Sequence, residues 1–348
     1  MTANLKWRKD GARVAVLGAT GAVGREIIRC IEALALPVSH LDLLASPKSV
    51  GKIIDSHLGK IPVVNADTFD FSHTDIVLSS AGKNVSLNLA PKIVNAGALM
   101  IDNTSAFRRS PQYKLIVPEV NGSEILPQSG IIANPNCSTI QLVLPLKALD
   151  DAVGIHSVRV TTFQSCSGAG QKGIDALMDE TQQALNGHRP EQSKVHARTI
   201  AFDVVPQIGA FDGDDGFTEE EHKMMFETRK ILNKPDLKIS ATCVRVPVIR
   251  SHSEAVNIVT DKPISPQMAA ELCSRMPGLR VTDIDNPLNY PTAFQAQNLF
   301  DTLIGRIRRD PVDSNGLIFW IVSDNLLKGA ALNAVQIACA AWDHARMV

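Results

Sequence analysis

The apolar run Arg13-Val14-Ala15-Val16-Leu17 passes directly into Gly18-Ala19-Thr20-Gly21-Ala22-Val23-Gly24. Beyond it, Val23, Ile27, Ile28, Ile31 and Leu34 recur at helical spacing. A buried strand, a glycine turn and an amphipathic helix, in that order, make the first half of a dinucleotide-binding unit. The glycines permit a tight turn and bring backbone N–H groups close to a pyrophosphate at the helix start. The spacing is G-x-x-G-x-x-G, a variant of the G-x-G-x-x-G fingerprint. Gly18, Thr20, Gly21, Ala22 and Val23 are therefore expected to contact the cofactor.

The end of the next strand separates the two nicotinamide cofactors. Leu41-Asp42-Leu43-Leu44 leads into Ala45-Ser46-Pro47-Lys48-Ser49. An NAD site calls for an acidic residue there to hold the ribose 2′-hydroxyl. Ser46, Lys48 and Ser49 offer hydroxyls and a cation instead, which suit a 2′-phosphate, so NADP is expected. Two later strands, Asp75-Ile76-Val77-Leu78 and Ala98-Leu99-Met100-Ile101-Asp102, end in polar loops carrying Ser80, Asn103 and Arg108. In an open parallel sheet such loops line the ligand crevice, and Arg108 is placed for an anion.

At 348 residues the chain is long enough for two domains, since single cores rarely grow much beyond ~250 residues. A formal net charge of −1 gives no electrostatic reason to expect nucleic acid or an anionic membrane. Met1–Asp10 is polar and lacks the apolar centre of a signal peptide, which makes a cytoplasmic location the expectation. The six cysteines have no paired spacing and the nine histidines form no H-E-x-x-H pattern, so neither a disulfide framework nor a protein-bound metal is expected.

One cysteine stands apart. The apolar run Gly130-Ile131-Ile132-Ala133 is broken by Asn134-Pro135-Asn136, and helical spacing starts just past Cys137-Ser138-Thr139. Cys137 thus sits at a helix N-terminus, where unpaired N–H groups and the helix dipole favour a thiolate. This makes it a candidate nucleophile.

Further on, Val158 to Gln164 alternates as a strand and Gly168-Ala169-Gly170 turns after it. Gln183 to Thr199 is polar and is expected to be a long surface loop, and Asp212 to Asp215 a solvated acidic one. Thr218-Glu219-Glu220 starts a helix with a good N-cap and puts Glu220 and Lys223 on one face. Ile239 to Val248 is expected as a strand delivering Arg245, with His252 in the turn beyond. Asp324-Asn325-Leu326-Leu327-Lys328-Gly329 precedes a helix from about Ala330 to Trp342, with Leu332, Val335, Cys339 and Trp342 as its apolar stripe.

Taken in order, these stretches resemble the aspartate-semialdehyde dehydrogenases. The matching segments are Gly18–Gly24, Leu44–Ser46, Asp102–Arg108, Val117–Asn121, Asn134–Thr139, Ser167–Gly170, Thr218–Lys223, Cys243–Val248, Asp324–Ala330 and Asn333–Gln336. The resemblance implies an α/β chain with a Rossmann-type NADP-binding domain over 1–136, completed by a C-terminal helix within 326–348. An α+β catalytic and dimerisation domain would span 137–325. It implies reversible, NADP-dependent reductive dephosphorylation of L-4-aspartyl phosphate to L-aspartate 4-semialdehyde, an early step toward lysine, methionine and threonine. By position, Cys137 is similar to the family's nucleophile, His252 to its acid/base and Gln164 to the residue that orients the thioester. Arg245 resembles the grip on the substrate carboxylate, and Glu220 the contact to its amino group. Lys223, Arg108 and Asn103 resemble phosphate contacts, Asn325 a nicotinamide contact, and Gly168 a cofactor contact. A homodimer or dimer of dimers is implied.

N-acetyl-γ-glutamyl-phosphate reductase and acyl-CoA reductases on the same scaffold are the alternatives. Arg245 with the Glu220–Lys223 pair favours a free amino acid carrying phosphate. Three positions depart from the family pattern: Ser251 before His252, Ser165-Cys166 after Gln164, and Lys83-Asn84 after Gly82.

Overall fold

A computed structural model describes residues 10–126, 130–188, 190–283 and 286–347. The polar N-terminal stretch, apart from Asp10, lies outside these. The chain forms two compact units, one of residues 1–135 with 330–348 and the other of 136–329.

The first unit opens with β1 (Ala12–Leu17), α1 (Ala22–Ala33) and β2 (Val38–Ala45). Strands β3 (Ile53–Ser56), β4 (Gly59–Asn65) and β5 (Ile76–Ser79) follow, then α2 (Lys83–Asn95) and β6 (Leu99–Asp102). The short β7 (Lys114–Leu115) and α3 (Pro118–Asn121) lead to β8 (Gly130–Ala133). These strands form one sheet in the order β3-β4-β2-β1-β5-β6-β8-β7, parallel throughout except for the β3–β4 pair. The central strands are continuous apolar runs because helices cover both faces of such a sheet; every residue of β5 and β6 is buried.

Close packing at the first turn depends on glycine. A β-carbon on Gly24 would sit 2.2 Å from the Gly18 carbonyl oxygen, so α1 meets the end of β1 only because that atom is missing. Gly24→Ala is expected to lower stability by ~1–3 kcal/mol, read as a fall in the thermal midpoint. An unchanged midpoint would mean that this contact is slack.

The second unit begins with α4 (Cys137–Val153) and β9 (Ile155–Gln164), then α5 (Gln171–Leu185) and α6 (Glu219–Ile231). Next come β10 (Lys238–Arg245), β11 (His252–Thr260), α7 (Pro266–Arg275), β12 (Leu279–Val281) and α8 (Ala293–Ala296). Strands β13 (Thr302–Arg309) and β14 (Gly316–Ser323) complete a mixed sheet, β10-β9-β11-β14-β13-β12. Helices α4, α6 and α7 close one face of it. Leu142, Leu146 and Leu149 of α4 and Met224 of α6 pack there on Val158, Val160, Val256, Ile258, Phe319 and Ile321. The chain then returns through the π-type turn Leu327–Ala331 to α9 (Leu332–Met347), which packs in the first unit against α1 and α3.

Several expected boundaries move. Helix α5 was not anticipated; it takes in Gln183 to Leu185, so the expected loop begins after it. The strand carrying Arg245 stops at that residue rather than at Val248 because Pro247 has no N–H for a ladder. His252 opens β11 instead of lying in a turn; the turn belongs to Ser251, whose φ is +77°. The C-terminal helix starts at Leu332, two residues late, behind the π-type turn.

Candidate active site

Asn136 caps α4 with its side chain, accepting from the Ser138 N–H at 3.0 Å, and Cys137 is the first helical residue. The cap is itself held. The Glu227 carboxylate accepts from the Asn136 backbone N–H at 2.6 Å, and Glu220 accepts from its side-chain amide at 2.8 Å. Both glutamates project from α6, which starts at Thr218 with a reciprocal capping box to Glu221. On its other side Cys137 meets Gly329, where a β-carbon would lie 2.8 Å from its own. Cys137 is half-buried, whereas Cys30, Cys166, Cys243 and Cys273 are buried.

Glu220 is only 7% exposed and is no surface residue. It accepts from the Gln164 amide at 3.4 Å and from Lys223 at 3.4 Å, in addition to Asn136. Gln164 ends β9 beside Arg245, which ends β10 in register with it. Arg245 donates from Nη1 to the Ser165 carbonyl at 2.5 Å. The Ser165 N–H in turn donates to His252 Nδ1 at 3.0 Å. Gly168 faces this pair: a β-carbon there would stand 3.0 Å from Arg245 Nη1 and 3.4 Å from His252 Nε2. The Asn325 side-chain oxygen accepts from Ser165 Oγ, Ser167 Oγ and the Ser251 N–H. Cys137, Gln164, Gly168, Glu220, Lys223, Arg245, His252 and Asn325 thus all belong to one unit.

Burial sets the electrostatics. His252 is wholly buried, and its pKa falls to about 3, first through desolvation and then through the Arg245 charge; the Ser251 carbonyl acts in the opposite direction. Glu254, two residues along β11, is also wholly buried. Among the described residues neither of its oxygens makes a well-formed hydrogen bond, and burial holds its pKa well above the usual carboxylate value, with the nearby Gln141 side chain opposing. The folded carboxyl therefore keeps its proton at pH values where the unfolded one has lost it. Stability from this group is present below the unfolded pKa and is lost as pH rises toward the folded one. Glu254→Gln is expected to stabilise the protein at about pH 8 by on the order of 1–3 kcal/mol, with the gain vanishing near pH 4.5. Thermal midpoints at both pH values decide it; a loss at pH 8 would mean an ionised, paired Glu254.

The first unit holds the other predicted residues. Gly18 has φ +88°, and a β-carbon there would come within 2.9–3.0 Å of the Ser80–Ala81 backbone. Gly21 precedes α1 with no side-chain cap and no acidic residue in the first turn, leaving that helix start suited to an anion. Thr20, Ala22 and Val23 surround it, half-buried. Beyond β2, Ser46 and Lys48 are exposed and Ser49 half-buried on a 3₁₀ turn, Pro47–Ser49, and the acid Asp42 lies back within the strand, bonded to His40. The residues fit a dinucleotide with a 2′-phosphate. Arg108 is buried and donates to the Asn103 carbonyl at 2.6 Å. Asn103 uses its amide on the Ser79 carbonyl and accepts from Asn134.

One sequence expectation changes here. The acidic loop is not simply solvated, because Asp212 and Asp215 hold the two nitrogens of His222 at 3.1 and 2.9 Å and raise its pKa. Cys166 packs with Leu177, Ile200 and Val205, its thiol pushed up to about 11 by burial. Glu227, Glu254 and the ion pair of half-buried Arg250 with buried Asp324 were not singled out from sequence, and Ser165 only as a departure after Gln164. A glutamate in an otherwise alternating apolar strand was the available signal for Glu254.

A dinucleotide-type parallel sheet joined to a mixed-sheet unit with a cysteine at a helix start defines a class, and the family comparisons agree. Residues 13–127 match the semialdehyde dehydrogenase NAD binding domain and residues 146–328 the semialdehyde dehydrogenase dimerisation domain. An aspartate-semialdehyde dehydrogenase of Aquifex aeolicus is 45% identical over 94% of this chain and 97% of its own, and one of Bacillus subtilis 43% over 94% and 96%. A crystal structure of aspartate semialdehyde dehydrogenase II from Vibrio cholerae, complexed with ASA, superposes with a TM-score of 0.91 at 42% identity. It covers 96% of this chain and 98% of that one. The chain belongs to the aspartate-semialdehyde dehydrogenase family. Among the described residues no helix is long and apolar enough to cross a membrane.

Proposed function

We propose that the chain catalyses the reversible, phosphate-dependent oxidation of L-aspartate 4-semialdehyde to L-4-aspartyl phosphate with NADP. The observation that carries this reading is the joining of Asn136, next to Cys137, through Glu220 to Gln164, with Arg245 and His252 in the same buried network. The Cys137 sulfur adds to the aldehyde carbon, so a C–S bond forms and the carbonyl electron pair moves onto oxygen. His252 serves that oxygen through Nε2. The bound cofactor would supply the hydride acceptor in this direction and the hydride donor in the other. Cys137 then carries a thioester; phosphate oxygen attacks its carbonyl, the C–S bond breaks and the sulfur leaves as thiolate. Arg245 can grip the substrate carboxylate with two parallel hydrogen bonds, and Glu220 can take its ammonium. Lys223 and Arg108 supply cations for phosphate in this reading, and Asn103 a neutral amide. Gly18, Thr20, Gly21, Ala22, Val23, Ser80, Ser46, Lys48 and Ser49 would hold the cofactor, with Gly168 and Asn325 its further contacts.

The second unit carries the family's dimerisation domain, which supports a homodimer, and a dimer of dimers is compatible with it. A small-molecule biosynthetic role in the cytoplasm, without nucleic acid or membrane as partner, completes the reading. The test is NADP⁺ reduction with aspartate semialdehyde, with and without phosphate, beside NAD⁺ and N-acetylglutamate semialdehyde. Turnover is expected only with aspartate semialdehyde plus phosphate, and NADP⁺ is expected to outperform NAD⁺. Preference for the acetylated aldehyde would overturn the substrate; equal rates with NAD⁺ would overturn the assignment of Ser46, Lys48 and Ser49.

A further inference from the structure

Helix α6 carries Glu220 and Lys223, and the loop 211–217 is tied to its start. The Glu219 N–H donates to the Ala210 carbonyl at 2.9 Å and the Asp212 N–H to the Phe217 carbonyl at 3.0 Å, while Phe211 and Thr218 pair as an antiparallel bridge. One side chain of α6 reaches back into this loop. His222 is half-buried, its ring 5.8 Å from that of Phe217, and it has a carboxylate at each nitrogen. Asp212 stands 3.1 Å from Nδ1 and Asp215 2.9 Å from Nε2. The other oxygen of Asp215 accepts from the Phe217 N–H at 3.1 Å. An ionised carboxylate only accepts, so both ring nitrogens must donate, and only the cationic imidazolium can do that. A neutral ring would keep one bond and turn a lone pair toward the other carboxylate. A cation in the first turn of a helix also opposes the macrodipole, so the two acids are what make it tenable there.

We propose that His222 is a positioning residue: its imidazolium latches the loop 211–217 onto α6 and so holds Glu220, two residues back, in place for the substrate's ammonium group, and loss of the ring proton at higher pH releases the latch. The identity of that ammonium rests on the dehydrogenase reading, whereas the latch itself does not. The His222 N–H closes the first helical turn on the carbonyl of Thr218, the capping residue. Glu220 lies within that turn, its carboxylate already on Asn136, Gln164 and Lys223. Releasing the loop frays the helix end that carries this acid. The charges facing the ring are Asp212 and Asp215, and Glu219 and Lys223 flank it along α6. Strand β10 and helix α4 meet the other side of α6, at Glu221 and Glu227. The Phe217 N–H and then His222 hold Asp215 below the usual carboxylate range, and the two acids raise the pKa of the ring. The latch is therefore complete below the ordinary histidine pKa and is lost as pH rises through the folded one. Exposed ion pairs contribute little singly, so the effect is a few-fold change in KM and not a loss of activity.

The test joins NMR of the histidine rings in the full-length protein to hydrogen exchange and kinetics. His222→Gln identifies the ring signal and has no charge to lose. The wild-type ring is expected to titrate above the ordinary histidine value of ~6.5, and Asp215→Asn to bring its midpoint down. Protection of the Asp212 and Glu219 amides, corrected for the intrinsic exchange rate, should fall between about pH 6 and about pH 9 in the wild type and stay level in His222→Gln. Over the same range the wild-type KM for the aldehyde should rise by ~3-fold or more relative to that of His222→Gln, while the ratio of their kcat values stays constant. A ring midpoint at or below the ordinary value overturns the proposal, as does a constant ratio of the two KM values across the range. If His222→Gln fails to fold, Asp215→Asn, which leaves α6 intact, takes its place in the same comparison. A ring that titrates high, with exchange following it, in a chain that does not turn over aspartate semialdehyde would sink the substrate reading and leave the latch supported.

Discussion

Replacing Cys137 with alanine is expected to lower kcat by at least ~10⁴-fold while the protein still folds. The scale follows from the job assigned to the sulfur: it is the atom to which the substrate becomes bonded, so nothing remains to split the transfer into two steps. Folding should survive because the cap of α4 does not use the thiol. Asn136 bonds Ser138, Glu220 and Glu227 through its own groups. The measurement is steady-state turnover beside a thermal midpoint, with mass spectrometry of the denatured enzyme to look for an acyl adduct. An alanine variant with the wild-type rate would end the covalent mechanism.

Replacing Arg245 with lysine is expected to raise the KM for the aldehyde substrate and cut kcat/KM by ~100-fold. Lysine keeps a positive charge but not the planar fork that matches a carboxylate with two hydrogen bonds. It also gives up the donor that steadies the Ser165 carbonyl, so the loss should reach kcat as well as KM. Varying substrate at saturating phosphate separates the two parameters. A change of less than about threefold in kcat/KM would mean that the guanidinium is a strand-end structural group and not the carboxylate grip.

How much of this could be read from the sequence depends on the range of the contact. The strand, glycine turn and helix at the start, and the helix that begins at Cys137, are local patterns, and both elements form where the spacing put them. The apolar stripe of α9 was equally plain, with Leu332, Val335 and Trp342 buried. What escaped was set by partners far along the chain. Glu227 lies ninety-one positions from the N–H it holds, and no periodicity announces such a bond. Ser165 could be read only as a departure after Gln164, because it meets His252 and Arg245 through peptide groups that almost every residue possesses. Glu220 and Lys223 have the three-residue spacing of countless surface pairs, and only the packing of α6 buries the acid. Helix α5 went unseen because Gly168-Ala169-Gly170 looked like the end of an element, whereas Gly170 is the residue on which a helix starts.

The return of α9 to the first unit carries a cost in timing. The parallel sheet emerges first during synthesis, yet α1 and α3 acquire one of their packing partners only after the whole second unit has been made. Until residues 332–347 leave the ribosome, the nascent N-terminal sheet must wait with apolar helix surface exposed, the situation in which long-range topology slows folding and invites association with other chains. Truncations that spare every proposed catalytic group but remove that last helix should therefore yield inclusion bodies rather than a slower enzyme.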